Sequence, residues 1–398
     1  MSEAIAAGAP NAGGDGKFHF AIDRGGTFTD VYCILPDGSE IVRKLLSVDP
    51  MHYSDAPTEG IRRILNDYDS EKTGYDYSRK NPKVPTSSIG SIRMGTTVAT
   101  NALLERQGAK MALLITSGFV DLLQIGNQSR PDIFDLSCKT PKLLYEKVVS
   151  IPERVILTQF IDDDDNEAAR ASSRVAAEEE ENKEDYFDTT KYPRIKGITG
   201  EELIVVQEPD MAYIQQQLEQ LRDDGITSLA ISLLHSYTYP KHEQQIAELA
   251  KSMNCFTHIS ISSETNPMIK LVPRGHTCCA SAYLTPILQD YLNGFCKGFD
   301  DALTTNVSNL CFMKSDGGLT PITKFGGHQA ILSGPAGGVV GYAKTTYNPR
   351  AAATESDAQP QAVIGFDMGG TSTDVSRYDG QHMEHVFETV TAGVAIQA

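Results

Sequence analysis

Two copies of one short pattern lie near the two ends of the 398-residue chain: Asp23-Arg24-Gly25-Gly26-Thr27-Phe28-Thr29-Asp30-Val31 and Asp367-Met368-Gly369-Gly370-Thr371-Ser372-Thr373-Asp374-Val375. They agree at both aspartates, both glycines, both threonines and the valine. Paired glycines let a backbone approach an anion with no Cβ in the way, and successive N–H groups in such a turn form an anion-binding nest. Phosphate is the expected guest. A carboxylate in each copy would repel a bare polyphosphate, so Asp23 and Asp367 require a cation between them and the ligand. A hard ion such as Mg²⁺ keeps several waters and takes one or two carboxylates plus phosphate oxygens. Thr27, Thr29, Thr371 and Thr373 offer hydroxyls to phosphate oxygens. One Gly-Gly dipeptide alone reads as a hairpin connector; the repetition favours a nucleotide clamp. Asp30 and Asp374 read either as turn caps or as residues that orient the loop from behind it.

The flanking residues say how such loops are presented. Each copy follows an apolar run (18–22 and 363–366) and precedes a second β-prone run, which predicts strand, glycine turn, strand. An Asp-Gly turn (Asp37-Gly38, Asp379-Gly380) and a third strand (41–44, 383–388) complete two β-meanders. Between them helical and strand patterns alternate, so the fold class is α/β. Pro57 opens a helix with an Ile61, Ile64, Leu65 stripe, and a strand at 89–94, a helix at 97–106 and a strand at 111–116 follow. Ile214, Leu218 and Leu221 share a helix face that Gly225 ends. Residues 227–234 read as a buried strand, Ile246, Leu249, Ala250 and Met253 as a helical stripe, and 258–262 as a strand. A long amphipathic helix is expected over 283–299, with Pro286 near its start.

Composition narrows the partners. A formal net charge of −17 argues against nonspecific nucleic-acid binding, which depends on neutralising phosphates with Lys and Arg. No apolar run approaches a membrane span, and residues 1–16 are polar and Ala/Gly-rich, without a signal peptide's basic start or hydrophobic centre. The cytosol is the expected location. Seven cysteines without CxxC spacing fit reduced thiols. The stretch 162–190 carries about half of the net charge and is expected to be a disordered acidic insertion, with a disordered tail at 1–16 and a linker at 347–360.

Several other strings carry a family resemblance along with the two loops. They are DAPTEGIRRIL (55–65), MGTTVATNALLERQGAKMALLIT (94–116), RPDIFDL (130–136), VPRGHT (272–277), AYLTP (282–286), KSDGGL (314–319) and LSGPAGGVVGY (332–342). Together they resemble the hydantoinase A and 5-oxoprolinase family, most closely its eukaryotic members, over nearly everything from Phe18 to Ala398 except the acidic insertion. The resemblance implies an actin-like ATPase (ribonuclease H-like) first lobe with an inserted α/β region and only the start of a second lobe. It divides the chain into an N-terminal region at 17–235 and a hydantoinase A domain, truncated, at 236–398. It implies ATP-driven opening of the lactam of 5-oxo-L-proline to L-glutamate, with ADP and phosphate. Asp23 and Asp367 would be catalytic and hold Mg²⁺ through water; Gly25, Gly26, Gly369 and Gly370 would meet phosphate through their backbone. K⁺ is a further candidate cation, and the complete enzyme would be a homodimer. Relatives continue into an adenosine-binding region and a hydantoinase B-like region, so the chain is expected to be an N-terminal fragment, inactive alone. Related alternatives are an ATP-dependent N-methylhydantoinase or a ketone-carboxylase subunit; from another class comes a noncatalytic actin-like nucleotide module.

Secondary candidates complete the set. Thr96, Thr97 and Asn101 lie at a glycine-led helix start that favours anions or is simply capped. Arg130 offers a bidentate grip on a substrate carboxylate or is an ordinary loop arginine. His235, His242 and Glu243 match no metal-ligand spacing, and Arg274 and His276 are candidates for a cleft. Residues 334–338 read as a hinge or close-packed turn, and Ser281 stands where relatives carry Asp or Asn.

Overall fold

A computed structural model describes residues 15–127, 134, 135, 137, 141–160, 191–305, 310–346, 362–370, 373–380 and 389–396. The acidic insertion, the linker, residues 1–14, the strand expected at 383–388, Arg130 and Thr371 lie outside the described residues. The chain divides into two compact units, one of Met1–Gly108 with Leu284–Phe387, the other of Ala109–Tyr283 with Glu388–Gln397.

The first unit opens with a meander of β1 (Phe18–Arg24), β2 (Phe28–Ile34) and β3 (Glu40–Leu46), each antiparallel to the next. Alternation puts Phe18, Phe20, Ile22, Val31 and Cys33 on one buried face. Helix α1 (Ala56–Tyr68) covers that face with Ile61, Ile64 and Leu65, each contributing about 1.5–3 kcal/mol of transfer free energy. Its start is specified locally: Asp55 caps the Thr58 N–H at 2.8 Å, and Pro57 sits in the first turn where no N–H is needed. Gly60 brings α1 onto β2, since a Cβ there would lie 2.6 Å from Val31 Cγ2. Strand β4 (Ile89–Thr96) runs parallel to β1, and the short helix α2 (Val98–Leu104) follows.

The second unit is built on a parallel sheet of β5 (Met111–Thr116), β6 (Lys147–Ile151), β10 (Ser228–Ser232) and β11 (His258–Ile261), ordered β11-β10-β5-β6. All six residues of β5 are buried, which is why that segment reads as a continuous apolar run rather than an alternating one. Helices α3 (Met211–Asp223) and α4 (Lys241–Ser252) pack Ile214, Leu218, Leu221 and Ile246 against Leu114, Leu229 and Ile231. A smaller antiparallel sheet joins β7 (Arg154–Leu157), β9 (Glu202–Gln207) and β8 (Arg194–Lys196).

Helix α5 (Leu271–Cys296) begins twelve residues before the expected start, so Pro286 lies in its interior. The helix tolerates that proline because the carbonyl Pro286 cannot serve, that of Ala282, accepts the Ser228 hydroxyl at 2.7 Å instead.

The chain then returns to the first unit. Strands β12 (Leu310–Met313) and β13 (Leu319–Pro321) complete a six-stranded sheet ordered β13-β12-β4-β1-β2-β3. The segment read as a hinge or turn is instead the start of helix α6 (Ser333–Thr345), with Pro335 in its first turn. Strands β14 (Val363–Met368) and β15 (Thr373–Tyr378) form an antiparallel pair; β16 (Thr389–Thr391) and β17 (Val394–Ile396) form another, which belongs to the second unit.

Candidate functional site

The strands that flank the two copies of the string pair in the same register. In β1–β2, Asp23 faces Asp30 across the ladder and Arg24 faces Thr29; in β14–β15, Asp367 faces Asp374 and Met368 faces Thr373. Each continues into an Asp-Gly turn whose glycine takes a positive φ, 84° at Gly38 and 87° at Gly380, where a Cβ would be strained.

Both hairpins belong to the first unit, and their tips meet. A Cβ at Gly370 would stand 2.5 Å from Thr27 Oγ1, so the second loop approaches the first as only a glycine allows. Asp23 still reaches solvent, yet its carboxyl is raised above the ordinary value, by burial first and then by the Asp30 and Asp367 carboxylates, with Lys44 opposing. A Cβ at Gly95 would lie 3.2 Å from Asp23 Oδ1, so the end of β4 forms another wall. The result is a crowded carboxylate beside the meeting loops: a place poorly suited to a lone anion and better suited to a cation accompanied by one.

The first loop's hydrogen bonds are unevenly distributed. The Arg24 carbonyl accepts the Thr97 N–H at 3.1 Å, the Gly25 carbonyl accepts the Ser47 hydroxyl at 2.7 Å, and the Thr27 carbonyl accepts the Ser47 N–H at 2.8 Å. Gly25 N–H donates to Phe28 O at 3.0 Å, whereas the N–H groups of Gly26 and Thr27 donate to nothing among the described residues. Unclaimed donors beside a glycine turn are what an anion needs.

The remaining expected residues fall in varied places. Thr27 is exposed at the tip, and Gly25 and Gly26 are half-buried. Thr29 is fully buried, its hydroxyl 2.9 Å from Ser47 Oγ, so it faces the loop's support. Gly369, Gly370 and Thr373 are exposed. Asp30 forms an ion pair with Lys44 at 2.8 Å. Asn101 lies within α2, its side-chain amide 3.5 Å from Thr97 Oγ1.

Sequence reasoning missed Ser47 and Ser333 and gave Gly95 no role beyond a turn. Ser333 Oγ donates to the Thr96 carbonyl at 2.7 Å, which seats the start of α6 at the end of β4. From there α6 reaches the second hairpin: Tyr342 donates its hydroxyl to Ser376 Oγ at 2.7 Å, and a Cβ at Gly365 would collide with the Tyr342 ring. The glycine-rich string at 332–342 marked this segment but not its helix, and a lone serine after β3 offered no signal.

The candidates of the second unit build its interior. His242 is buried, with Nδ1 2.8 Å from Glu153 Oε2 and Nε2 3.0 Å from Glu208 Oε2. Glu243 accepts the Leu233 and Ser263 N–H groups and the Ser262 hydroxyl, and buried Arg274 donates to the Met268 and Leu233 carbonyls. His235 turns the chain at a φ of 57°, and burial holds its imidazole below the ordinary pKa. Ser281 Oγ lies 3.1 Å from Ser260 Oγ, a buried hydroxyl pair. No group of three or more His, Cys, Asp and Glu among the described residues could hold a metal.

Comparison with known proteins bears on the whole chain. Residues 19–254 match the family model described as the hydantoinase/oxoprolinase N-terminal region, and residues 274–398 match the one described as hydantoinase/oxoprolinase. The chain is 51% identical over 385 residues to 5-oxoprolinase 1 of Arabidopsis thaliana, covering 96% of this chain and 27% of that protein. It is 48% identical over 387 residues to 5-oxoprolinase of Dictyostelium discoideum, covering 95% and 28%. It thus spans only about a quarter of the length of these curated relatives. Among solved structures, ATP-dependent caprolactamase from Pseudomonas jessenii superposes with a TM-score of 0.63 at 23% identity, covering 95% of this chain and 46% of that one. Nucleotide-free acetone carboxylase superposes with a TM-score of 0.63 at 18% identity, covering 96% and 46%. At those identities the likeness is one of fold.

Proposed function

The chain belongs to the hydantoinase/oxoprolinase family, and we propose that it supplies the nucleotide-gripping part of an enzyme that opens 5-oxo-L-proline to L-glutamate at the expense of ATP. One observation carries this reading: the two copies of the Asp-x-Gly-Gly-Thr string adopt the same register and meet tip to tip, with Gly370 against Thr27 and Asp367 beside Asp23. The sheet order supports assigning the first unit to an actin-like, ribonuclease H-like lobe, with the second unit as its α/β insertion and β14–β15 as the start of a second lobe.

The chemistry explains the need for such a grip. An unstrained lactam is a resonance-stabilised amide and a poor electrophile. Transfer of phosphate to its oxygen would activate the carbon toward water and couple opening to ATP cleavage. Little covalent work falls to the protein in phosphoryl transfer; positioning and charge stabilisation do most of it. Asp23 fits Mg²⁺, because its carboxyl, already raised by burial and by neighbours that include Asp367, gains from a cation, and Asp367 is placed to share that ion. Bound there, Mg²⁺ would offset negative charge on the phosphates. The unclaimed N–H groups of Gly26 and Thr27 would receive phosphate oxygens, and the exposed Thr27 hydroxyl would add a further donor.

The test is product coupling. Glutamate and ADP are measured from 5-oxo-L-proline and Mg-ATP with this chain and with a longer polypeptide that continues as the plant relative does. Equal amounts of both products, lost on Asp23→Asn or Asp367→Asn, support the assignment. Glutamate formed without ADP, or ADP release indifferent to both substitutions, overturns it.

A further inference from the structure

We infer that Ser47 is the positioning residue of the first phosphate loop, setting the direction in which the Gly25–Gly26 peptide presents its N–H. This rests on the proposed phosphate role of that loop and adds a residue to it.

Ser47 follows the last residue of β3 and is 6% exposed. It touches the loop three times: its N–H donates to Thr27 O at 2.8 Å, its Oγ lies 2.7 Å from Gly25 O, and its Oγ lies 2.9 Å from Thr29 Oγ1. The directions follow from proton counting. A carbonyl only accepts, so the single Ser47 hydroxyl proton goes to Gly25 O. Thr29 must then donate to Ser47, giving a chain Thr29 Oγ1–H to Ser47 Oγ–H to Gly25 O. Thr29 is buried, so no water competes for this proton.

The consequence for an anion is geometric. No peptide bond among the described residues is cis, and in a trans peptide C=O and N–H point in opposite directions. Holding Gly25 O toward Ser47 therefore turns Gly26 N–H away from Ser47, and that N–H has no partner among the described residues. Upstream, Thr97 holds Arg24 O through its N–H at 3.1 Å and its hydroxyl at 3.3 Å. The peptide between two glycines is otherwise free to flip, since neither residue has a Cβ to resist it. A flip would offer a carbonyl where phosphate needs a donor.

The test combines hydrogen exchange with steady-state kinetics in wild type, Ser47→Ala, Ser47→Thr, Thr29→Val and Asp23→Asn. Ser47→Ala should speed exchange of the hydrogen-bonded Gly25 amide and raise the Mg-ATP concentration for half-maximal protection of the loop, and the KM for ATP, by about threefold to tenfold, the size of one hydrogen bond. Ser47→Thr keeps the hydroxyl and should restore both; Thr29→Val should fall between. Loop exchange and ATP dependence unchanged in Ser47→Ala, or equal losses in Ser47→Ala and Ser47→Thr, would overturn the role. If Mg-ATP protects Asp23→Asn as well as wild type, the phosphate assignment itself fails and takes this inference with it. That failure is recognisable because Ser47→Ala would still loosen the loop.

Discussion

The two hairpins share a string, a register and a pair of glycine turns, yet their inner faces meet different surroundings. On the first, Phe20, Ile22 and Val31 are at most 4% exposed beneath α1. The matching residues on the second, Ile364, Phe366 and Val375, are 68%, 66% and 62% exposed, and no described element does for them what α1 does. Support for the second hairpin comes from its other face, where Tyr342 of α6 packs on Gly365 and bonds Ser376. Strand register is thus a local property that survives without a covered face, whereas anchoring differs from copy to copy.

The sharpest way to break the symmetry is through the aspartates. Asp23→Asn and Asp367→Asn should each lower ATP-coupled glutamate release by about a thousandfold if both carboxylates serve one charge-stabilising site. The same Asp23→Asn change should raise thermal stability at neutral pH. Asp23's folded pKa is raised, first by burial, so its contribution to stability is lost as pH rises from the unfolded carboxyl value of about 3.9 through the folded value. The gain in melting temperature of Asp23→Asn over wild type should therefore be absent at the acid end and fully present at pH 7. A constant difference across that range would contradict the crowding of the carboxylate.

Next in size is a charge placed at matched positions. Val31→Asp buries an unpaired carboxylate and should cost about 3 kcal/mol or more, while Val375→Asp, on the open face, should change stability by about 0.5 kcal/mol or less. Val375→Asp should also reduce binding of a hydrophobic dye. Urea denaturation of both variants reads the contrast directly; equal costs would mean that the second face is covered after all.

Gly370→Ala probes the meeting of the tips. The added Cβ, 2.5 Å from Thr27 Oγ1, forces the loops apart and should raise the KM for ATP about tenfold, and Thr27→Ala should relieve part of that loss. Independent, additive effects would show that the two loops act separately. The smallest expected effect is at Lys44, whose pair with Asp30 is exposed on both sides: Lys44→Met should cost about 0.5 kcal/mol or less.

The loops were legible because their determinants are close in the chain. Gly25, Gly26, Gly38 and the flanking alternation at 18–34 act within a few residues, and so does the Asp55 cap of α1. The start of α5 and the helical state of 334–338 were not legible, since proline and glycine usually signal breaks. The Ala282 carbonyl left over by Pro286 is taken by Ser228, 54 residues before Ala282 in sequence. Likewise the support of the site comes from afar: Ser47 reaches Gly25 across 22 residues, and Ser333 reaches Thr96 across 237.

By itself, then, the order of residues determined two glycine-tipped hairpins with their carboxylates in register, because turn propensity and strand alternation need only neighbours to operate. Tertiary structure alone decided that Gly370 would meet Thr27, that Ser47 would hold Gly25, and that one hairpin would be covered while its twin stayed open. Those outcomes depend on packing between segments far apart in the chain, and no local pattern encodes which distant surface will arrive.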